Sequence, residues 1–204
     1  MDCSGHVNPM ETRRAVRRFF DDLACRWDAI IDPDHGRRLA GLLAGIEWSA
    51  PVLDVGAGTG ILWEVLGGAG VALGAIVAID ISPRMLASPR SDPPRRVAAD
   101  VHQLPFPDGW FGSVACNSCL PHFDQLDRAL DELTRVLRPG GMFVACHSEP
   151  REVINRHHRQ TGGVVGGHEL PGPESLGARL SARGLTPEIQ SDSPRGYLVT
   201  ARKR

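Results

Sequence analysis

Three glycines at alternate positions, Gly56, Gly58 and Gly60, follow a short apolar run, Pro51-Val-Leu-Asp-Val55. Glycine tolerates positive φ and lets backbone approach a ligand closely, so this spacing at a strand end shapes a ligand-binding turn. A dinucleotide site more often reads G-x-G-x-x-G, with a helix amino terminus aimed at a pyrophosphate. Here the pattern is G-x-G-x-G behind Asp54, which suits a ligand without phosphates whose positively charged amino-acid end lies near a carboxylate. Two more acids punctuate later apolar runs. Ile76-Val-Ala-Ile79 ends in Asp80, roughly 20 residues past the glycines, where a carboxylate can accept from both ribose hydroxyls. The next run ends in Asp100, which can accept from an adenine amine while the N–H of Val101 donates to the ring. Ile81 and Met85 are placed to pack on the purine faces.

Other residues could take part in chemistry at the same edge. His122, His147, His157, His158 and His168 fall near the carboxyl ends of the predicted strands or in the segment after them. An ordinary imidazole pKa near 6.5 suits a general base. His122 and His147 rank first, because strand topology puts them at the mouth of the site. Cys116, Cys119, Cys146 and His147 raise a metal question, since thiolates and imidazoles suit zinc. Strand alternation turns Cys116 and Asn117 to opposite faces, and no second C-x-x-C follows. Ordinary buried thiols are therefore expected, and no metal site.

These residues need a scaffold, and the pattern supplies one. Strands are predicted at 51–56, 75–80, 95–99, 111–117 and 142–147, with helices starting near Gly60, Ser82 and Phe123. Such alternation implies a parallel sheet covered on both faces, and the near-continuous apolar strands agree. The helix from about Phe123 carries Leu126, Ala129, Leu130, Leu133, Val136 and Leu137 in register and stops at Arg138-Pro139-Gly140-Gly141. Ahead of the sheet, Val16, Phe19, Phe20, Leu23, Trp27, Ile30 and Ile31 form a helical stripe over 11–31. Arg13, Arg14, Arg17 and Arg18 are expected on its other side. Asp32-Pro33 ends it, and a second helix is expected over 35–46. Residues 1–10 show no periodicity and are expected to be disordered. Past Glu149 come a His- and Arg-rich helical stretch, a Gly/Pro-rich stretch at 161–173, a helix near 174–183 and weak strands at about 185–190 and 197–202. The fold expected is α/β, Rossmann-like and doubly wound, a mostly parallel seven-stranded sheet with helices on both faces. Residues 1–48 are read as an N-terminal helical lid and 49–204 as one compact unit.

Composition narrows the function further. The chain has 204 residues, 42% hydrophobic and 23% charged, as a soluble domain does. A net charge of −1 gives no field to recruit nucleic acid or an anionic membrane. No apolar run nears the roughly 20 residues of a membrane span, and no apolar block follows the N-terminal arginines, so no secretory signal is expected. Five cysteines, an odd number in a chain too large to need staples, point to reduced thiols in a cytoplasm. The 11–31 stretch reads as a lid packing aromatics over a ligand. A membrane-surface helix is the other reading, disfavoured because the polar face also carries Asp21, Asp22 and Asp28.

From Val52 to Val144 the chain resembles the class I S-adenosylmethionine-dependent methyltransferases, above all the branch of the ubiquinone/menaquinone-biosynthesis and other small-molecule enzymes. The resemblance rests on VLDVGAGTG at 52–60, AIDISPRML at 78–86, AADVHQLPFPDGWF at 98–111 and LPHFDQLDRALDELTRVLRPGGMFV at 120–144. Phe-Phe-Asp-Asp-Leu-Ala with Arg-Trp-Asp at 19–28 resembles the start of such enzymes. The resemblance implies S-adenosyl-L-methionine as cofactor and S-adenosyl-L-homocysteine as product. It implies that Asp54, Gly56 and Gly58 hold the methionine end, Asp80 the ribose, and Asp100 and Val101 the adenine, with Gly60 also among the cofactor-binding residues. Asn117 would lie near the methionine moiety or the transferred methyl. Cys146 and His147 would end a strand near the substrate. Gly112 departs from an aspartate frequent in the family, and Pro121-His122 stands where many members have two histidines. Asn117-Ser118-Cys119-Leu120 differs from the Asn-Pro-Pro-Tyr type of amino-methylating nucleic-acid enzymes. The function expected is methyl transfer to a small-molecule O, N or C nucleophile. The alternatives are a non-catalytic cofactor-binding module that acts through a protein partner, and a metal- or thiol-linked methyltransferase.

Overall fold

The computed structural model describes residues 9–204; part of the stretch expected to be disordered, 1–8, lies outside the described residues. Seven strands form one sheet: β1 (Val52–Val55), β2 (Ile76–Asp80), β3 (Arg95–Ala98), β4 (Phe111–Asn117), β5 (Leu137–His147), β6 (Leu185–Ser193) and β7 (Gly196–Lys203). Their order is β3-β2-β1-β4-β5-β7-β6. β1 to β5 pair in parallel, and β7 enters antiparallel between β5 and β6. This is the doubly wound sheet expected, and its order reverses between β1 and β4, where such folds open a crevice.

Two apolar layers sandwich the sheet. On one face α6 (Leu126–Val136) and α8 (Pro173–Ser181) bring Leu130, Leu133, Leu176 and Leu180 onto Leu53, Val114 and Phe143. On the other, α3 (His35–Leu42) and α4 (Ile61–Gly68) bring Leu39, Leu62, Trp63 and Leu66 onto Val52, Ile76, Ala78 and Val144. Strands β1, β4 and most of β5 are buried throughout, as strands covered on both sides must be. The short α5 (Pro83–Ala87) is capped by Ser82, whose Oγ accepts from the N–H of Met85 at 3.1 Å. α7 (Arg151–Thr161) follows β5.

Two local expectations shift. The stripe over 11–31 is not one helix: α1 (Pro9–Leu23) begins two residues earlier, breaks into a 3₁₀ turn at Ala24–Arg26, and resumes as the one-turn α2 (Trp27–Ile30). Strand pairing in β5 begins at Leu137 rather than 142, because Arg138-Pro139-Gly140 is an exposed excursion within the strand. The register with β4 jumps from Phe111↔Leu137 to Ser113↔Met142 across it. Gly112 has a steric reason: a Cβ there would lie 2.4 Å from the carbonyl oxygen of Ser49 and 2.8 Å from that of Ala50. Its N–H donates to the carbonyl of Pro51 at 2.9 Å, so β4 lies directly against the entry to β1. Gly112→Ala forces backbone against backbone and should destabilise by about 1–3 kcal/mol. Urea unfolding checks this, and an unchanged midpoint would show that the 49–51 segment yields freely.

Candidate functional site

Along the carboxyl ends of β1 to β4 lies a cavity of about 470 Å³. Its floor is made by Gly56, Gly58 and Gly60 with φ of +64°, +57° and +109°. Both outer glycines are sterically required. A Cβ on Gly56 would sit 2.5 Å from Cβ of Cys119, and one on Gly60 would enter the ring of Trp63 at 1.9 Å. Asp80 joins the first two strand ends: its Oδ2 accepts from the N–H of Gly58 at 2.9 Å, and its Oδ1 from the N–H of Ser82 at 2.8 Å. Burial raises its pKa to about 6, with these two hydrogen bonds pulling the other way. Ile81, Met85, Val101, Asn117 and His122 line the same cavity, as does Asp100. Asp100 is already engaged: Oδ1 accepts from the backbone N–H of His102 at 2.9 Å and lies 2.6 Å from its Nδ1, and Oδ2 accepts from Arg13 at 3.1 Å. Burial opposes its ionisation, but His102 and Arg13 outweigh burial and hold it down to about 2.

Two expected residues do not reach the cavity. Asp54 sits one residue back inside β1, 1% exposed, and neither carboxylate oxygen has a hydrogen-bond partner among the described residues. Burial, reinforced by the charge of Asp80, raises its pKa to about 8. Its side chain stands behind the cavity lining and not on it, since β1 is covered on both faces before its chain reaches the rim. His147 stands back from the lining likewise. β5 stays paired to β7 through His147↔Tyr197, so the imidazole lies within the body of the sheet, 1% exposed, with its ring 6.1 Å from that of Tyr197. Burial pushes its pKa down to about 3. This strand reaches the cavity instead through Glu149, two residues on.

The thiols also separate. Cys116 and Cys119 belong to one apolar layer and Cys146 to the other. Cys119 donates to the carbonyl of Val55 at 3.1 Å. Among the described residues no three His, Cys, Asp or Glu side chains are grouped to hold a metal ion.

The N-terminal segment supplies what the motifs leave out. Arg13, Val16 and Phe20 of α1, and Trp27 and Ile30 of α2, line the cavity. Each of the first three strand ends is tied to this segment. Arg13 bonds Asp100, Asp124 at 3.0 Å and Gln125 at 2.9 Å. Asp21 accepts from Ser82 Oγ at 2.6 Å, and Asp28 from Thr59 Oγ1 at 2.6 Å. Arg13 was expected to face away with its neighbours; it turns inward because residues 13, 16 and 20 follow the helical spacing of three and four. That spacing was the available signal, masked by the run of arginines.

A sheet of this order, with a glycine turn and strand-end acids around a crevice at its reversal, defines a doubly wound α/β protein with its ligand crevice at the switch point. Comparison with known proteins narrows the class. Residues 53–145 match the methyltransferase domain family. A demethylmenaquinone methyltransferase of Tropheryma whipplei is 33% identical over 155 residues, covering 71% of this chain and 64% of that protein. One from Thermus thermophilus is 30% identical over 208 residues, covering 82% of this chain and 91% of that protein. Among solved structures, a possible histamine N-methyltransferase of Thermotoga maritima shares the fold with a TM-score of 0.73 at 16% identity, covering 92% of this chain and 99% of that one. A 1,6-didemethyltoxoflavin-N1-methyltransferase of Burkholderia thailandensis, solved with 1,6-didemethyltoxoflavin and S-adenosylhomocysteine, does so at 0.66 and 24%, covering 100% of this chain and 93% of that one. The chain belongs to the class I S-adenosylmethionine-dependent methyltransferases, on the branch that includes the ubiquinone/menaquinone-biosynthesis enzymes.

Asp54 gives a pH signature. Folded, it holds its proton to about pH 8; unfolded, only to about pH 4. The folded state binds more protons in that window, so stability falls as pH rises through it. Asp80 adds to the slope only below about pH 6. Asp54→Asn should flatten the fall and exceed wild type by at least about 1 kcal/mol at about pH 9. Parallel urea-midpoint curves for the two proteins would contradict this.

Proposed function

We propose that the chain transfers a methyl group from S-adenosyl-L-methionine to a small-molecule O, N or C nucleophile. The single observation that carries this is the convergence, on one cavity, of the glycine turn after β1, Asp80 at the end of β2, Asp100-Val101 after β3 and Asn117 at the end of β4. The donor set fits an adenosyl sulfonium. A Cβ on Gly58 would meet Trp27 Nε1 in ordinary contact at 3.8 Å, so the turn's backbone here is approached only by the lid. Asp80 retains lone pairs for ribose hydroxyls beyond the two backbone bonds it accepts. Ile79, Ile81, Met85 and Val101 offer apolar walls to a purine. The glycine turn and Asn117 flank the amino-acid end in this reading. When bound, S-adenosylmethionine supplies an electrophilic methyl.

The protein's part is placement. Holding the acceptor in line with the methyl contributes on the order of 7–11 kcal/mol. Residues 9–48 act as the lid in this reading. Phe20 and Trp27 exclude water over the crevice, and Arg13, Asp21 and Asp28 fasten the lid to the strand ends. The mostly apolar walls suit a reaction in which positive charge leaves sulfur. Several relatives are demethylmenaquinone methyltransferases, so reduced naphthoquinones lead the acceptors to try. The unit works in the cytoplasm without nucleic acid; among the described residues no helix is long and apolar enough to cross a membrane. A [4+2]-cyclase shares this fold at a TM-score of 0.71, so turnover has to be measured and not read from the fold.

Calorimetric titration with S-adenosylhomocysteine should show binding, and Asp80→Ala should weaken it by about 1.5–3 kcal/mol, the scale of hydrogen bonds to a charged group. A wild-type protein that does not bind, or a dissociation constant unmoved by the substitution, would sink respectively the function or the place of Asp80 in it. Methyl transfer to a panel of quinols, phenols, enols and amines, followed by mass spectrometry, then identifies the acceptor.

A further inference from the structure

The stretch from Pro150 to Pro173 matches no motif, yet it brings two imidazoles onto a third at the cavity wall. His122 ends the 3₁₀ turn Leu120–His122 that follows β4 and lines the cavity. His158 of α7 and His168 of the following loop pack on it, with ring centroids 5.0 and 5.1 Å away. The Nδ1 atoms of His122 and His168 are 2.9 Å apart. At that distance one nitrogen carries the proton and the other presents its lone pair. His168 is itself held, because its carbonyl accepts from Nδ1 of His158 at 2.8 Å. On the other side the edge of Phe20 meets His122 at 5.0 Å.

Two arrangements of the shared proton are open, and only one leaves His122 a lone pair at Nε2. If His168 donates, His122 carries its N–H at Nε2 and takes no proton there. If His122 donates, its Nε2 presents a lone pair, and the N–H of His168 falls at Nε2 of a ring that is partly exposed, as that of His122 is. The titratable groups that act on His122 are His158, His168 and His147, with no carboxylate among them; Asp124 acts on His168 and His157 on His158. Burial, aided by those three imidazoles, pushes His122 well below its usual pKa, so it is neutral at pH 7.

We propose that His122, donating from Nδ1 to His168, is the general base that takes the acceptor's proton at Nε2, and that His168 is its positioning residue. The inference deepens the methyl-transfer reading and rests on it. It restricts the acceptor to protic nucleophiles of appreciable acidity, such as phenols, enols or activated C–H groups. In the step, the acceptor's bond to hydrogen breaks and the proton goes to His122 Nε2. The electron pair left on the acceptor atom forms the bond to the methyl carbon, and the methyl–sulfur pair returns to sulfur. One positive charge leaves sulfur as one appears on the imidazole, so the net charge of the enclosed space is unchanged. The imidazolium then loses its proton to water as product leaves.

The premise is tested without an acceptor. In protein labelled with ¹⁵N-histidine and loaded with S-adenosylhomocysteine, ring nitrogen shifts at pH 7 should show His122 protonated at Nδ1 and bare at Nε2. His168→Ala should scramble that tautomer, and His168→Asn, whose side-chain oxygen can accept, should retain it. A proton on Nε2 of His122 in wild type overturns the proposal. With a methylated acceptor from the panel, His122→Gln should lower kcat by about 10²–10⁴-fold while S-adenosylhomocysteine affinity stays unchanged. His168→Ala should lower kcat with little change in KM and move the acid limb of the pH profile, and His168→Asn should recover it. Full kcat in His122→Gln overturns the role of the base and leaves methyl transfer standing. Failure of wild type to bind S-adenosylhomocysteine removes that reading instead.

Discussion

The rim of this protein depends on one carboxylate. Asp80 ends β2, yet its two oxygens reach the N–H of Gly58 in the turn after β1 and the N–H of Ser82 at the start of α5. It therefore fixes the spacing of two neighbouring strand ends while remaining on the cavity wall. Burial favours its neutral form and the two backbone donors favour the charged form. The glycine turn can lie that close only because Gly56 and Gly60 have no side chain to meet Cys119 and Trp63. Sheet register, turn sterics and the polar floor of the cavity thus express a single constraint.

Around this floor the walls come from parts of the chain remote in sequence. α1 and α2 close one side through Phe20 and Trp27, and α7 closes another through Ile154 and His157. The first is fastened by charged and hydroxyl groups, one set to each of three strand ends. The second is fastened by Asn155, whose side-chain oxygen accepts from the N–H of Leu170 at 2.8 Å, and by Arg151, which donates to the carbonyl of Leu170 at 2.9 Å. A floor built of short-range motif and walls built of long-range contacts is the usual division in such folds, where function varies in the connections rather than the sheet.

That division sets what the sequence could reveal. The strands β1, β2, β3 and β4 were legible because their apolar runs are bounded by glycine, proline and acid, and α6 because its apolar spacing is regular. Gly56, Gly58, Gly60, Asp80, Asp100 and Asn117 were legible as cavity residues because their chemistry recurs at fixed offsets from strand ends. Asp54 and His147 were misplaced for one shared reason: being next to a strand end does not tell how far neighbouring strands extend beyond it. β5 is still paired to β7 at His147↔Tyr197, and the imidazole is buried there. Arg13 was hidden by the arginines beside it, and the meeting of His122 with His158 and His168 depends on a loop with no periodic pattern to read.

The margins of the sheet carry a different consequence. At one side β3 has only four residues, two of them exposed arginines, and Pro93-Pro94 precede it. At the other, β6 carries Pro187, a register break between Pro187 and Ile189, and the acids Glu188 and Asp192. Proline removes a donor, the break twists the ladder, and charge resists stacking, so both borders are poor templates for a strand from another molecule. A second copy of this chain gains little by extending the ladder. Durable self-association must use the helical faces, and aggregation by strand addition is discouraged at both borders by the same residues that end the sheet.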